Sequence, residues 1–351
     1  MITPWRLAFP MVWVLWTMPQ VLLAQPPSMP SMPAEPTPTE KTPTEKTSTE
    51  SMPTESRSTA EESEAPFLLV LGIAQDAGVP QAGSRDHPGW TDPSQRFFAT
   101  SLALVDPASG QRFLFDATPD FKYQLDRLDR RAPVEKRPGI DGIFLTHAHI
   151  GHYTGLMMLG HEALGGRDIP VYAMPRMAGF LRDNGPWSQL VRYRNIQIRP
   201  LEAERSVQLA PGLSVTPFLV PHRQEFSEVV GYRIDGPARS AIYLPDIDRW
   251  EDWERDLVEV LETVDAAYVD ATFYANGEIP GRDMSGFPHP FITTTMARLA
   301  EQNAAVRAKV RFIHFNHTNP VLRPDSEARR EVVSRGFHLS EEGEVFGLGE
   351  P

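Results

Sequence analysis

Three histidines stand within six residues of the sequence, directly after an apolar run. The segment reads Leu145-Thr146-His147-Ala148-His149-Ile150-Gly151-His152. It follows a predicted strand over residues 140–146 and precedes a predicted helix that begins near Tyr153. Histidines two apart on an extended segment project to the same side, and the start of a helix turns the third back toward them. One such histidine alone is typical of a hydrogen-bonded core or surface residue, whereas three that converge indicate a site for zinc or iron.

The chain contains no cysteine, which restricts how a metal can be held. There can be no disulfide framework, thiolate zinc finger, iron–sulfur cluster or cysteine nucleophile, so the ligands must come from His, Asp and Glu. The 351 residues carry a formal net charge of −12, and the pI is near 5.3. This charge argues against non-specific binding to nucleic acid or to an anionic membrane surface. No nucleic-acid partner is therefore expected.

Three later predicted strands also end at residues that can bind metal. One ends before His222, a second before Asp246, and a third runs into His314, with His317 three residues further on. Strand carboxyl ends are where α/β sheets usually collect their ligands. Each residue alone is compatible with a purely structural role, but their recurrence strengthens the prediction of a metal site. The segment 75–78 after the first predicted strand is either a loop that lines the site or a plain turn.

Strands and helices alternate from Pro66 onward, which indicates an α/β domain. The predicted strands are 67–73, 101–105, 112–116, 140–146, 171–174, 213–220, 229–234, 240–244, 266–270 and 309–315, and the predicted helices are 119–131, 250–264, 290–302 and 325–334. No internal boundary is evident, so residues 66–351 are predicted to form one domain. Trp250 and Trp253, at helical spacing, are predicted to be core residues.

The first 65 residues are predicted to lie outside this domain. Residues 1–24 are typical of a signal peptide, since Arg6 precedes an uncharged apolar stretch. The alternatives are an uncleaved membrane anchor formed by residues 7–24 and a cytoplasmic start. Residues 25–65 contain eight acidic residues against three basic ones, a net charge of −5, and few apolar residues. This composition predicts a disordered Pro/Thr/Ser/Glu-rich linker, and the protein is predicted to be exported to the periplasm.

The histidines and the acids that follow them resemble a known signature. The metallo-β-lactamase-fold superfamily carries His-x-His-x-Asp-His, followed by a distant His, Asp and His in that order, and the resemblance spans residues 67–348. It implies an α/β fold with four αββα layers and a site at one edge of the two sheets. Five stretches are similar to the pyrroloquinoline quinone (PQQ) biosynthesis protein B (PqqB) family: residues 70–81, 116–120, 269–273, 281–284 and 316–320. The arrangement from His222 to residues 231–234 is similar to the tRNA 3′-processing ribonuclease branch.

The resemblance also implies the metal ligands and the cofactor. The implied ligands are His147, His149 and His222 for a first ion, and His152, Asp246 and His314 for a second. Asp246 can bridge the two ions, and His317 is an alternative ligand or a proton donor. Asp246 and His317 are therefore the predicted catalytic residues. The implied cofactor is one or two Zn²⁺ ions, with Fe²⁺ or Mn²⁺ as alternatives.

The chain departs from both patterns. Gly151 stands where the superfamily signature has aspartate, so the second ion lacks one carboxylate. That site is weakened, empty, or completed by Asp248, Asp270 or His289. The PqqB family typically departs at the first two signature histidines, which this chain retains. It also usually carries a structural zinc bound by cysteines, which this chain lacks.

Three functions follow as hypotheses. The first is a metal-dependent hydrolase that uses metal-activated water on a small ester, amide, lactam or phosphoester. The second is a PqqB-like iron-dependent redox enzyme linked to PQQ biosynthesis. The third is a non-catalytic exported binding module with a decayed metal site, which Gly151 favours. The expected partner is a small-molecule or short-peptide substrate, and a membrane is a partner only if the N-terminal segment is uncleaved.

Overall fold

The computed structural model describes residues 65–350. The predicted signal peptide, and all but the last residue of the predicted linker, lie outside the described residues. The strands are β1 (Phe67–Gly72), β2 (Ser101–Asp106), β3 (Gln111–Phe115), β4 (Gly142–Phe144), β5 (Ile169–Ala173), β6 (Ile196–Pro200), β7 (Val207–Ala210), β8 (Leu213–Leu219), β9 (Val230–Asp235), β10 (Ser240–Leu244), β11 (Ala266–Asp270), β12 (Val310–Ile313), β13 (His338–Leu339) and β14 (Val345–Gly347). The α-helices are α1 (Phe121–Arg131), α2 (Ile150–Tyr153), α3 (Pro175–Asp183), α4 (Trp187–Arg192), α5 (Leu257–Glu262), α6 (Ile292–Arg298), α7 (Ala304–Arg307) and α8 (Glu327–Ser334). Within residues 65–350, no helix combines the length and apolar character needed to cross a bilayer.

The strands form two seven-stranded sheets, each of which is partly antiparallel and partly parallel. The first has the order β14-β1-β2-β3-β4-β5-β6 and the second the order β13-β12-β11-β10-β9-β8-β7. Strands β3 to β6 are parallel in the first sheet, and β10 to β13 are parallel in the second. Parallel neighbours end at the same edge of a sheet. The loops after β3 and β4 therefore lie together at one edge of the first sheet, and the loops after β10, β11 and β12 lie together at one edge of the second.

Alternate residues of the first sheet face two different apolar cores. In β1, Leu68 and Val70 belong to the core that includes the second sheet, whereas Leu69 and Leu71 belong to the core on the opposite face. All six residues of β1 are buried. Burial on both faces explains why this strand is a continuous apolar run rather than an apolar–polar alternation.

Helices cover the two outer faces of the sheet pair. Helices α1, α3 and α4 contribute buried side chains to the core on the outer face of the first sheet. Helices α5, α6 and α8 pack against the second sheet. The layers are therefore helix, sheet, sheet and helix. The predicted four-layer αββα sandwich is confirmed.

The predicted helix over residues 250–264 is interrupted. A short 3₁₀ turn ends before Trp253, and α5 begins only after Asp256, whose carboxylate accepts from a backbone N–H at 2.7 Å. The Trp250 indole donates to Thr295 Oγ1 at 2.9 Å, and the Trp253 indole donates to a carbonyl of β8 at 3.1 Å. The two rings thus bond to different elements, which a continuous helix would not permit. Both are buried in the core, as the sequence predicts.

The sequence did not predict four of the strands, and these are the four edge strands β6, β7, β13 and β14. Strands β13 and β14 have only two and three residues. Strands β6 and β7 are mostly exposed or half-buried. A short strand with one unpaired edge buries little apolar surface, so its sequence carries little of the pattern that marks a central strand.

Replacing Tyr232 by Phe is expected to destabilise the fold by about 1–3 kcal/mol. The hydroxyl of this buried residue on β9 donates to the carbonyl of Leu145, which leads out of β4 in the other sheet. The variant removes that donor from a buried carbonyl. Tyr268→Phe is the matched control, because the buried Tyr268 hydroxyl has no hydrogen-bond partner within residues 65–350. Urea unfolding should show a loss for Tyr232→Phe and none for Tyr268→Phe, and equal stability of the two variants would contradict this interpretation.

Candidate metal centre

The six predicted ligands meet at one edge of the two sheets. His147 and His149 follow β4, His152 lies in α2, His222 follows β8, Asp246 follows β10 and His314 follows β12. Each belongs to at least one group of three residues whose ligand atoms lie within 4.8 Å of one another. All but His149 are buried, and His149 is half-buried. The fold therefore places donors that are up to 167 positions apart in the sequence around a common point.

His147, His149 and His222 form the first group. The Nε2 atom of His147 lies 2.8 Å from Nδ1 of His149. The ring centroid of His222 is 5.4 Å from that of His147 and 5.1 Å from that of His149. Three imidazoles that converge in this way are a set of donors that zinc commonly accepts.

Asp246 lies between the remaining donors. Its Oδ2 atom is 3.0 Å from His152 Nε2 and 3.5 Å from His314 Nε2. Its Oδ1 atom is 3.7 Å from His222 Nε2, which belongs to the first group. One carboxylate thus faces donors of both groups, as the predicted bridging role requires.

Several of these buried atoms have no hydrogen bond. They are His152 Nε2, His222 Nε2, His314 Nε2 and Asp246 Oδ2, none of which has a hydrogen-bond partner within residues 65–350. Buried polar atoms without partners are costly and uncommon in proteins. Their shared direction fits a cation that accepts electron pairs from nitrogen and oxygen, so the residues present suit a divalent metal ion.

Asp116, at the end of β3, holds two of the histidines in position. Its Oδ1 atom accepts from the backbone N–H of Thr146 at 2.8 Å and from the Thr146 hydroxyl at 2.9 Å. Its Oδ2 atom accepts from Nδ1 of His152 at 2.8 Å. The Thr146 hydroxyl in turn lies 3.0 Å from Nδ1 of His147. These bonds occupy the Nδ1 atoms of both rings, so that Nε2 of His152 has no hydrogen bond and Nε2 of His147 faces Nδ1 of His149.

Asp270, at the end of β11, does the same on the opposite side. It accepts from the hydroxyl of Thr272 at 2.7 Å, and that hydroxyl lies 2.9 Å from Nδ1 of His314. Nδ1 of His289 donates to Asp270 at 2.7 Å. Asp248 accepts from Nδ1 of His222 at 2.8 Å. Asp248 and Asp270, two of the suggested substitutes for the missing carboxylate, thus hold histidines in position, Asp248 by a direct bond to His222 and Asp270 by a direct bond to His289 and through Thr272 to His314.

The electrostatic environment stabilises positive charge at this point. Burial alone would lower the pKa of His152, but the carboxylates of Asp116 and Asp246 raise it well above its ordinary value. Burial alone would raise the pKa of Asp246, but the imidazoles of His314 and His152 lower it well below its ordinary value. Burial holds the pKa of His147 well below the ordinary value, and His152 adds to this effect. The ionised carboxylate of Asp246 and the neutral imidazole of His147 are in the protonation states that metal ligands require, whereas the environment of His152 stabilises a positive charge.

Three residues of the centre have left-handed backbone conformations. The φ angles are 33° for Asp76, 69° for Asp116 and 70° for His314. Non-glycine residues seldom adopt positive φ, and such strain is found preferentially at functional sites. All three lie within four residues of the end of a strand, where the chain leaves the strand and enters a loop at the centre.

The structure does not bring His317 to the centre. It belongs to none of the groups of converging ligand atoms within residues 65–350. Burial and then the charge of His87 lower its pKa. His289, which the sequence suggested only as a substitute ligand, does enter the centre, in a group with Asp246 and His314.

The sequence did not indicate the orienting roles of Asp116 and Thr272, and it indicated Asp76 only as part of the segment 75–78. Asp116 and Thr272 orient histidines, and Asp76 forms a group with His152 and His314. The segment 75–78 was predicted to be either a loop that lines the site or a plain turn, and the structure matches the first interpretation. One available signal was that all three residues follow closely after a central strand, as the predicted ligands do.

Residues 111–315 match the family described as the beta-lactamase superfamily domain. Over 308 residues the chain is 25% identical to coenzyme PQQ synthesis protein B of Methylorubrum extorquens strain PA1, and the match covers 80% of this chain and 99% of that protein. The sequence resemblance to the superfamily and to PqqB is thereby confirmed.

Two solved structures are similar in fold. The crystal structure of Zn²⁺-bound PqqB from Methylobacterium extorquens has a TM-score of 0.68 at 24% identity, covering 80% of this chain and all of that one. A diphosphatase from the PhnP family has a TM-score of 0.58 at 23% identity, covering 80% of this chain and 96% of that one. At these identities the similarity shows the fold alone.

Asp116→Asn is expected to weaken Zn²⁺ binding about 10- to 100-fold, because His152 loses the carboxylate that orients it. Competition with a chromophoric chelator would measure the dissociation constant. Asp106→Asn is the matched control, since Asp106 is also buried but ends β2 at the opposite edge of the same sheet. Unchanged affinity in Asp116→Asn, or an equal loss in Asp106→Asn, would contradict the orienting role.

Proposed function

Because the chain belongs to the beta-lactamase superfamily, we propose that it is a metal-dependent hydrolase. The observation that carries this proposal is the convergence of His147, His149 and His222 beside the buried carboxylate of Asp246. These residues would hold a divalent ion, which would make a bound water acidic enough to act as a nucleophile near neutral pH and would polarise a carbonyl or phosphoryl oxygen. Zinc is the proposed ion because imidazole and carboxylate suit it, and the similar PqqB structure was solved with Zn²⁺ bound. Fe²⁺ and Mn²⁺ are the alternatives.

The chain's own residues position the reactants. The carboxylate of Asp246 is ionised and faces both groups of imidazoles, so it can orient the attacking water by accepting a hydrogen bond from it. Proton donation to the leaving group suits His289 better than His317. His289 is held by Asp270 and has Nδ1 3.7 Å from Asp246 Oδ1, whereas His317 lies outside the converging groups.

A substrate can approach from the side of His149. Its side chain is 15% exposed, and the neighbouring Glu225, 3.1 Å away, is 47% exposed. The other imidazoles are buried behind it. A divalent ion polarises carbonyl and phosphoryl oxygens alike, so we propose a small ester, amide, lactam or phosphoester substrate.

His149→Ala is expected to lower both bound metal and hydrolysis, because it removes one of three imidazole donors from the first group. Metal content would be measured on the purified protein, and turnover on chromogenic carboxylate ester, lactam and phosphodiester substrates. A loss of about 100-fold or more in kcat/KM is expected, on the scale of removing a group that stabilises the transition state. His161→Ala is the control, since His161 is exposed and lies outside the metal-binding groups of residues 65–350.

The outcomes separate the hypotheses. Equal metal content in His149→Ala and the unmodified protein would contradict the assignment of the ligands. Metal binding that needs His149 without turnover of any substrate class would favour the non-catalytic binding module. In the same assay, a larger loss of kcat in His317→Ala than in His289→Ala would reverse the assignment of the proton donor.

A role in PQQ biosynthesis is the second candidate function. It is supported by the match to coenzyme PQQ synthesis protein B over 99% of that protein's length. Histidines with a carboxylate and open coordination positions also suit non-haem iron. If this function is correct, the protein loaded anaerobically with Fe²⁺ should consume oxygen when a precursor of the PQQ pathway is added. No consumption with any candidate precursor peptide would count against it.

We propose export to the periplasm as the place of action, on the basis of the charge and apolar pattern of residues 1–24. The proposed partner there is a small-molecule or short-peptide substrate. Cell fractionation with N-terminal sequencing would find a mature chain that begins near residue 25. An intact N-terminus in the membrane fraction would instead favour an anchor through residues 7–24.

A further inference from the structure

The position of Gly151 has no room for a side chain. A Cβ atom built on this residue would lie 2.3 Å from both Cα and Oδ1 of Asp76. Real Cβ atoms do not approach other atoms so closely, and here the obstacle includes backbone. Asp76 therefore occupies the space into which a side chain at residue 151 would project. The glycine is needed for the close approach of the loop after β1.

The carboxylate of Asp76 faces the histidines of the second group. Its Oδ1 atom lies 3.6 Å from Nε2 of His152, and the ligand atoms of Asp76, His152 and His314 all lie within 4.8 Å of one another. The two histidines are 1% and 0% exposed, and their Nε2 atoms have no hydrogen-bond partner within residues 65–350. Two buried donors and one half-buried carboxylate thus converge without bonding to one another.

Backbone hydrogen bonds hold the loop that carries Asp76 beside the end of β12. The N–H of Gln75 donates to the carbonyl of Phe315 at 2.8 Å, directly after His314. The N–H of Gly78 donates back to the carbonyl of Gln75 at 3.0 Å and closes a tight turn. Asp76 lies in this turn with its φ of 33°. The turn therefore holds the backbone of Asp76 beside the end of β12.

We propose that Asp76 supplies, from the first loop, the carboxylate ligand that Gly151 cannot provide. Asp76, His152, Asp246 and His314 would then hold a second divalent ion beside the ion held by the three-histidine group. Two nitrogen and two oxygen donors are a complete set for a four-coordinate zinc site. The inference rests on the metal centre of the proposed function but not on the hydrolytic reaction.

His289 is a weaker candidate for the same position. Its Nδ1 atom is the ring nitrogen that faces Asp246, at 3.7 Å, and this same atom already donates to Asp270 at 2.7 Å and lies 3.1 Å from the Thr272 hydroxyl. Within residues 65–350, the carboxylate of Asp76 has no hydrogen bond as short as these. Its contact with His152 Nε2 is 3.6 Å. Asp76 also lies against the glycine whose missing side chain it replaces.

Calorimetric titration of the metal-free protein with Zn²⁺, together with elemental analysis, tests this assignment. The unmodified protein should bind two ions per chain. Asp76→Ala should retain the first ion and bind the second more than about 100-fold more weakly, which exceeds the loss of about 10- to 100-fold typical of an outer-sphere partner. Asp86→Ala is the matched control, because Asp86 is an exposed carboxylate ten residues further on and should leave both ions bound.

Gly151→Ala provides a second variant, since a methyl group there must displace Asp76 although it removes no ligand atom. It should also lose the second ion, and circular dichroism with thermal unfolding of each metal-free variant would confirm that it folds. If Asp76→Ala fails to fold, Asp76→Asn, which keeps the shape but not the charge, should still weaken the second ion.

The outcomes distinguish this inference from the proposed function. One ion bound by the unmodified protein, or two ions bound tightly by Asp76→Ala, would overturn the role of Asp76 while leaving the first site intact. Loss of the second ion in His289→Ala but not in Asp76→Ala would also overturn it. No ion bound by the unmodified protein would contradict the proposed function itself.

Discussion

The hydrogen bonds of Asp116 join the parts on which the candidate centre is built. The carboxylate is fully buried and accepts from Thr146 and His152 of the first sheet's connections and from the Tyr243 hydroxyl on the second sheet at 3.2 Å. A buried carboxylate is tolerated only where donors compensate for the loss of water. The hydrogen bonds that Asp116 needs thus hold the end of β3 against the turn after β4, and they hold the first sheet against the second. The orientation of the metal-binding imidazoles follows from that arrangement.

Hydrogen bonds of the same kind hold the other histidines of the centre. Each of the four inward-facing histidines His147, His152, His222 and His314 has its outer nitrogen bonded to a threonine or an aspartate. These outer partners come from strand ends, which are positioned by the apolar packing of the sheets. The donors are consequently arranged by the folded chain itself, with little freedom left to lose when an ion binds.

The sequence predicted the central part of the fold and the local part of the site. The ten inner strands were recognisable because most of their residues are apolar and buried, whereas the four edge strands lack that pattern. The cluster from His147 to His152 was recognisable because its spacing alone brings side chains together. Roles that depend on distant contacts were not accessible in this way. The bonds of Asp116 and the approach of Asp76 to Gly151 join residues 30 or more positions apart.

His317 is the opposite case, in which the spacing in the sequence suggested a contact that the fold does not make. Its separation of three residues from His314 suggested a shared site, but the chain between them does not continue as a strand or a helix. His314 has a left-handed conformation, and the backbone of the following Phe315 bonds to the first loop and to the end of β1. The chain therefore changes direction, and His317 is carried toward His87. Spacing predicts a shared face only within a regular element.

The ligands differ greatly in how far apart they stand along the chain, and this affects how metal and folding influence each other. Three histidines within six residues remain neighbours even in an unfolded polypeptide, so that state retains some affinity for metal. Binding to the unfolded state subtracts from the stability that an ion confers on the native one. The partners contributed by distant loops exist only after both sheets have joined. An ion that needs those partners discriminates between the native and unfolded chains far more strongly than one held by the local histidines alone.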